Sequence, residues 1–173
     1  MLERLVSGDV LTLGDHHRHV LLELPHELYL PLQPLLKQLA RHRITGILSH
    51  PERNEGILRQ PEVVAPLVDA GCLVQITAGS LCGSFGPACQ QVAESLLDDG
   101  MVHFVASDGH GERARRPILH RAYERIVERI DEQTAAELCC HNPALVTADR
   151  AVRPGRRTIR RRRRSWWRKK EVA

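Results

Sequence analysis

The sequence predicts an α/β fold with parallel strands, and three observations support this prediction. Stretches with helical periodicity alternate with short apolar runs, and polar residues lie near or just after the end of each run. Strands connected by helices pair in parallel through right-handed crossovers. In such folds the active site forms at the carboxyl ends of the strands, so these polar residues are the first candidates for a site. The predicted strands are residues 20–24, 44–48, 73–77 and 102–106.

Proline and glycine mark the ends of the intervening helices. Pro61 stands at the start of one predicted helix and Gly71 at its end, and Gly100 stops another. Leucines at helical spacing support the helix over residues 29–42. The predicted helices are residues 29–42, 61–71, 87–99 and 117–130, with short closing helices at 134–141 and 143–148.

The number of strands has a geometric consequence. Four strand–helix units make about half of a (βα) barrel, and half a barrel has an open edge and an uncovered interior. We therefore expect that the chain either pairs with another chain or lacks an N-terminal half.

Charge divides the chain into two parts. Of its 25 Lys and Arg residues, 11 lie in residues 153–173 with one acidic residue, which leaves 14 basic and 20 acidic groups in residues 1–152. Like charges in a run repel one another and favour a solvated chain. We predict one folded domain over residues 1–152 and a disordered basic tail, rich in Arg and Trp, over residues 153–173.

Composition argues against several classes of protein. The 173 residues, 42% of them hydrophobic, suffice for one domain with a substantial core. No apolar run approaches the roughly 20 residues that cross a bilayer, and the first residues lack the apolar region of a signal peptide, so we expect a cytoplasmic protein. The five cysteines include no C-x-x-C pair, and none has an arginine six positions later, which argues against a cysteine-based phosphatase.

Residues with the chemistry of metal ligands lie near or just after the ends of three predicted strands. Glu23 lies near the end of the first apolar run, His50 follows the second, and Asp108 and His110 follow the fourth. Imidazole and carboxylate together suit Mn²⁺, Fe or Zn²⁺ better than a thiolate-selective metal. We expect these four side chains to converge at the carboxyl ends of the strands.

Three motifs stand in order along the chain: H-P-E-R-N at residues 50–54, Q-I-T-A-G-S-L at 75–81 with Gly83 and F-G at 85–86, and H-F-V-A-S-D-G-H at 103–110. Together they resemble the CpsB/CapC (YwqE-like) family of bacterial metal-dependent protein-tyrosine phosphatases, which belongs to the PHP superfamily. The resemblance implies a distorted (βα) PHP-type barrel, of which this chain would be the C-terminal part.

The resemblance also implies roles for individual residues. Arg53 and Arg115 resemble the two arginines of the family that act on phosphate, and arginine matches phosphate with a bidentate fork that stays charged at any working pH. Metal ions, commonly manganese in the family but otherwise Fe, Mg²⁺ or Zn²⁺, would activate the attacking water, so no protein nucleophile is needed. The metal ligands that the resemblance implies are Glu23, His50, Asp108 and His110.

Each candidate also has a purely structural interpretation. Glu23 could be a salt-bridged core residue, and His50 could be a turn residue before proline. The Asp108 segment could be an ordinary turn. Arg115 lies among other arginines, so a solvated charge cluster competes with its catalytic role.

Family members open with an H-x-H motif, followed by an acidic pair, a further His and a further Glu, and this sequence does not open with that series. We therefore expect a chain that lacks the N-terminal portion of the family. The alternative to a phosphatase is a catalytically incomplete fragment or pseudoenzyme that acts as a binding module.

The resemblance implies a tyrosine-phosphorylated protein as substrate, namely a membrane-associated bacterial tyrosine kinase of capsule or exopolysaccharide biosynthesis. The basic tail, with Trp166 and Trp167, offers a peripheral contact with the inner face of the membrane. A nucleic-acid role for the tail is a weaker alternative.

Overall fold

A four-stranded parallel sheet organises the computed structural model, which describes residues 5, 7–113 and 115–158. Each strand pairs with the strand that follows it along the chain, so that Leu48 lies beside Leu22 on one side and Val74 on the other. This confirms the α/β class and the parallel pairing predicted from the sequence. The strands are β1 (His19–Leu22), β2 (Thr45–Ser49), β3 (Leu73–Thr77) and β4 (Phe104–Ala106).

Helices connect the strands and follow the last of them. A single 3₁₀ turn at Leu13–Asp15 precedes β1, two more at Pro51–Arg53 and Pro61–Val63 lie between β2 and β3, and a π-helical turn occupies Glu137–His141. The α-helices are α1 (Gln33–Arg41), α2 (Glu55–Arg59), α3 (Val64–Asp69), α4 (Ala78–Leu81), α5 (Pro87–Asp98), α6 (His120–Arg129), α7 (Glu132–Ala136) and α8 (Asn142–Thr147).

The first long helix begins later than its leucine pattern predicts. Helix α1 starts at Gln33 rather than at residue 29, because Pro31 disfavours helical backbone in the residue before it and Pro34 suits the first helical turn.

Two other predicted helices divide. The predicted helix 61–71 becomes a 3₁₀ turn followed by the short helix α3. The predicted helix 134–141 begins earlier, as α7, where Asp131 accepts a hydrogen bond from the Thr134 N–H at 2.7 Å. It then continues as the π-helical turn.

The sheet has a hydrophobic cluster on each face, because alternate strand residues point to opposite sides. On one face Leu48 belongs to the main core, which also contains buried residues of helices α1, α3, α5 and α6. On the other face Ile47 and Phe104 form a smaller cluster with Val146 of α8 and with Val152.

Strand β1 is an edge of the sheet. Within the described part of the chain no strand pairs with its outer side, and Leu21 there is 41% exposed. The sheet of residues 5–158 is therefore open, as the half-barrel prediction expects, whereas its completion by further strands stays a prediction.

Residues 151–158 run back along the body near the amino ends of β3 and β4. The Arg157 N–H donates a hydrogen bond to the Gly100 carbonyl oxygen at 2.9 Å. The Gly155 carbonyl oxygen lies 3.1 Å from Nε2 of His103. This segment therefore leaves the described structure on the side of the sheet opposite the carboxyl ends of the strands.

The predicted boundary at residue 153 stays a prediction. Residues 153–158 of the predicted disordered tail make hydrogen bonds to the body, because Gly100 and His103 offer them partners. Residues 159–173, which hold most of the tail, lie outside the described residues. Among the helices that are described, none combines the length and the apolar character that a membrane span requires.

Candidate active site

The predicted site residues lie at one edge of the sheet, where the carboxyl ends of the parallel strands meet. Glu23 is the first residue after β1, His50 is the first after β2, and Asp108 is the second after β4. The His50 N–H donates a hydrogen bond to the Gln75 carbonyl oxygen of β3 at 2.8 Å, which fixes the end of β2 against its neighbour.

His50 occupies a left-handed backbone conformation, with φ of 33°. Such backbone costs a non-glycine residue about 1–3 kcal/mol, and strain of this kind clusters at functional sites. Its Nε2 lies 3.2 Å from Oε1 of Glu23. Burial and the neighbouring Arg53 lower the pKa of His50, while the Glu23 carboxylate acts in the opposite direction. The imidazole is therefore held neutral, which is the form that can coordinate a metal.

Glu23 is largely open to solvent, with 66% of its side chain exposed. A carboxylate in that position can bind an ion at little desolvation cost. The alternative of a salt-bridged core residue is therefore wrong for Glu23.

Two arginines donate hydrogen bonds to the Asp108 carboxylate. Its Oδ2 accepts a hydrogen bond from Nη1 of Arg53 at 2.6 Å and a second, short one from Nη2 of Arg115. Nδ1 of His110 donates to the Asp108 carbonyl oxygen at 2.8 Å, which leaves the His110 Nε2 lone pair free to coordinate. Arg115 therefore faces the site rather than lying in a purely solvated charge cluster.

Phe85 supports both arginines from one side. The guanidinium carbon of Arg53 lies 4.5 Å from the centre of the Phe85 ring, and that of Arg115 lies 5.9 Å away. Arginine over an aromatic face gains cation–π attraction and loses rotational freedom. A Cβ on Gly79 would come within 2.8 Å of the Phe85 ring, so only a glycine at this position leaves room for the ring.

Glu52 is fully buried beside this site. Its Oε1 accepts a hydrogen bond from the Thr77 N–H at 2.8 Å, which ties the turn after β2 to the end of β3. Burial raises the pKa of Glu52, while the hydrogen bond from the Thr77 amide acts in the opposite direction. The side chain anchors the segment from which His50 and Arg53 project.

Asn54 completes that segment. Its Oδ1 accepts from the Ile57 N–H at 3.0 Å and so caps helix α2, while Nδ2 donates to the carbonyl oxygens of Pro25 and Leu28 at 2.7 and 3.0 Å. Residues 50–54 thus reach three different segments of the carboxyl edge. His50 contacts the end of β1, Glu52 the end of β3, and Arg53 the segment after β4.

The ligand-type residues form two pairs rather than one cluster. Glu23 with His50 is one pair, and Asp108 with His110 is the other, with Arg53 as the link between them. Among the residues that the structure describes, no three His, Cys, Asp or Glu side chains come together in a metal-binding group. Each pair fits part of a coordination shell for a divalent ion, because imidazole and carboxylate suit such ions. The assignment of the ligands and of the two arginines stays a prediction.

Sequence reasoning missed the roles of Phe85, Glu52 and Asn54. Glu52 and Asn54 lie within the H-P-E-R-N motif. Both are polar, and the sequence gives no sign that a polar residue is buried when its partners lie far away along the chain. Phe85 belongs to the second family-like motif, but nothing in that pattern shows that its ring lies against two arginines.

Comparison with known proteins gives one family match. The family model described as "Capsular polysaccharide synthesis, CpsB/CapC" matches residues 1–148. The chain is 34% identical to tyrosine-protein phosphatase YwqE of Bacillus subtilis over 113 residues, which are 64% of this chain and 44% of the relative. It is 29% identical to tyrosine-protein phosphatase CpsB of Streptococcus pneumoniae over 157 residues, which are 87% of this chain and 64% of the relative.

A solved structure also matches. It comes from a study of YwqE from Bacillus subtilis and CpsB from Streptococcus pneumoniae, described there as unique metal-dependent tyrosine phosphatases. The superposition has a TM-score of 0.84 at 26% identity, and it covers 91% of this chain and 65% of the other. The chain thus spans between 44% and 65% of the length of these three proteins.

Proposed function

The chain belongs to the CpsB/CapC family of capsular polysaccharide synthesis proteins, and from this premise we propose that it hydrolyses phosphotyrosine in proteins by a metal-dependent mechanism. One observation carries the proposal: Arg53 and Arg115 both reach Oδ2 of Asp108, between two pairs of metal-ligand residues. The names of the relatives, which are tyrosine-protein phosphatases, support the reaction class.

We assign the metal-binding role to the two pairs at the carboxyl edge. Mn²⁺ is the first choice of ion, and Fe, Mg²⁺ and Zn²⁺ suit the same donors. When bound, such ions supply an activated water and polarise the phosphoryl oxygens. The proposed ligands are Glu23, His50, Asp108 and His110.

Arg53 and Arg115 bind the phosphoryl group in this proposal. Both guanidinium groups already share one carboxylate oxygen as acceptor, and a phosphate dianion offers more acceptors with a larger charge. Their positions beside the Phe85 ring are set before substrate arrives, so little reorganisation is needed as charge develops in the transition state.

The proposed substrate is a tyrosine-phosphorylated protein, specifically a membrane-associated bacterial tyrosine kinase. The family description, capsular polysaccharide synthesis, supports a place in that process. A kinase held at the membrane would require the phosphatase in the cytoplasm, at the inner face of the membrane.

The basic tail is proposed to contact anionic lipid. The described chain ends at Thr158, on the side of the sheet opposite the site, so the tail begins away from the site. Each basic residue near such a surface contributes about 1 kcal/mol. The full chain should co-sediment with anionic vesicles, and a chain ending at Thr158 should not. Equal sedimentation of the two chains would refute the membrane role, and tighter binding of the full chain to duplex DNA would favour the nucleic-acid alternative.

Phosphate release from a phosphotyrosine peptide tests the activity. The chain should release phosphate with added Mn²⁺ and lose this activity with a chelator. Asp108→Asn should lower the rate at least about 100-fold, because it removes a metal ligand and the acceptor of both arginines. Asp99→Asn, at the exposed end of α5, is the matched control. Metal binding without hydrolysis would instead favour the binding-module alternative.

A further inference from the structure

A cleft of about 540 Å³ opens beside the candidate active site. The apolar side chains of Phe85 and Ile118 line it, together with Arg113, Arg116 and Arg121. We name this feature the basic cleft and define it by those five residues. Arg115, which contacts Asp108, and Ser107, the residue before Asp108, also line the cleft, so the cleft and the proposed phosphate position are continuous.

The arginines of the basic cleft differ from their neighbours on helix α6. Arg125 contacts Glu94 at 2.5 Å, and Arg129 contacts Asp98 at 2.7 Å. Arg121, one turn earlier on the same helix, has no ion pair within the described residues, and the same holds there for Arg113 and Arg116.

No acidic side chain lines the cleft in the part of the chain that the structure describes. Within that described part, no carboxylate that lines the cleft neutralises its positive charge. Charge complementarity therefore favours an anionic ligand.

We propose that the basic cleft binds a second anionic side chain of the phosphotyrosine substrate, two or three residues from the phosphotyrosine itself. This inference rests on the proposed phosphatase function. In an extended peptide, residues two or three positions apart are about 7–10 Å apart, so a neighbour of the phosphotyrosine would reach a cleft that begins at the site. The occupant is either a carboxylate or another phosphotyrosine, because arginine forks match both groups.

The shape of the cleft favours a peptide over a membrane. A concave cleft of this volume accepts side chains, whereas a lipid surface contacts convex or flat patches. Ile118, which lines the cleft and is 48% exposed, offers the apolar contact that the stem of a glutamate or the ring of a phosphotyrosine requires.

Fluorescence anisotropy with the full chain and Mn²⁺ tests this inference. The probes are four labelled phosphotyrosine peptides of the same length, with serine, glutamate, lysine or a second phosphotyrosine two residues from the first. The glutamate or doubly phosphorylated peptide should bind about five- to tenfold more tightly than the serine peptide, and the lysine peptide more weakly. The preferred peptide identifies the anion, and the preference should shrink as salt rises.

Arginine variants then test whether the basic cleft causes this difference in peptide affinity. Arg116→Ala combined with Arg121→Ala should reduce the ratio of affinities between anionic and serine peptides to about one. Arg116→Glu should reverse the preference towards the lysine peptide. Arg41→Ala, an exposed arginine at the end of α1 that does not line the cleft, should keep the wild-type ratio.

The outcomes separate this inference from the proposed function. Equal affinity for all four peptides would overturn the inference, even if every peptide were hydrolysed. A preference that depends on Arg116 and Arg121 without hydrolysis would support the inference and count against the phosphatase. Binding to phosphatidylserine vesicles that depends on these arginines, with no preference among peptides, would assign the cleft to lipid and overturn the inference.

Discussion

Arg53 is held from two directions at once. Nη1 donates to Oδ2 of Asp108 at 2.6 Å, and the guanidinium plane lies against the Phe85 ring. Only 17% of the side chain is exposed, so water competes weakly for its donors. A planar group with fixed direction can bind two phosphoryl oxygens together, and a lysine in the same position offers only a point charge.

Replacement of Arg53 by lysine separates charge from geometry. Arg53→Lys keeps one positive charge but loses the fork, so we expect turnover of a phosphotyrosine peptide to fall about 100-fold or more. Bound manganese, measured by elemental analysis, should stay at the wild-type level. Arg59→Lys is the matched control, because Arg59 forms an exposed pair with Glu55. Loss of manganese with little loss of turnover would contradict the assigned role.

The segment of residues 50–54 shows how one short element organises a site. Its polar residues each contact a different part of the carboxyl edge, and Asn54 holds both helix α2 and the loop that follows Glu23. Three hydrogen bonds converge on a side chain that is only 4% exposed. Such fully satisfied buried amides stabilise one arrangement of the surrounding loops.

Removal of the three hydrogen bonds of Asn54 should lower the free energy of unfolding. Asn54→Ala removes the cap of α2 and both donors to the loop, so the free energy of unfolding should fall by about 2–3 kcal/mol. Asp131→Ala removes the hydrogen bond to the Thr134 N–H at the start of α7, and it should cost about 1 kcal/mol. Urea unfolding of both variants measures the difference, and equal losses would show that the two loop contacts of Asn54 contribute nothing.

The strands could be predicted from sequence because their apolar runs are short and regularly spaced. Strand β3 occupies the predicted residues 73–77, and the other three are displaced at one or both ends. The predicted helix boundaries were less accurate. Local backbone sterics at prolines 31 and 34 decide where α1 begins, and the apolar pattern does not show the π-helical turn. The pairing of Arg53 with Asp108 spans 55 residues of sequence, and no local pattern contains it.

His103 joins the sheet to the end of the described chain. Its Nδ1 accepts a hydrogen bond from the Val74 N–H at 3.1 Å, so Nε2 carries the proton and donates to the Gly155 carbonyl oxygen. Its own carbonyl oxygen accepts from Nδ2 of Asn142 at 2.8 Å. The imidazole is 1% exposed, and burial lowers its pKa to about 4.

This burial makes the stability of the whole molecule depend on pH. The folded state keeps His103 neutral down to about pH 4, whereas the unfolded chain protonates it near pH 6.5. Its contribution is therefore complete above pH 6.5 and is lost as the pH falls towards 4, by about 2–3 kcal/mol. The free energy of unfolding should fall more steeply between pH 7 and 4 in the natural chain than in His103→Gln. Parallel pH profiles would show that His103 is not buried in the neutral form.

The position of bound metal tests the central claim most directly, namely that the carboxyl edge of the sheet is a metal-dependent phosphatase site. Crystals of the chain soaked in Mn²⁺ should show anomalous density at the manganese edge within about 2–2.5 Å of the side chains of Glu23 and His50, or of Asp108 and His110. His50→Ala should remove the first of these peaks. Anomalous density elsewhere on the molecule, or none at this edge at saturating Mn²⁺, would contradict the claim.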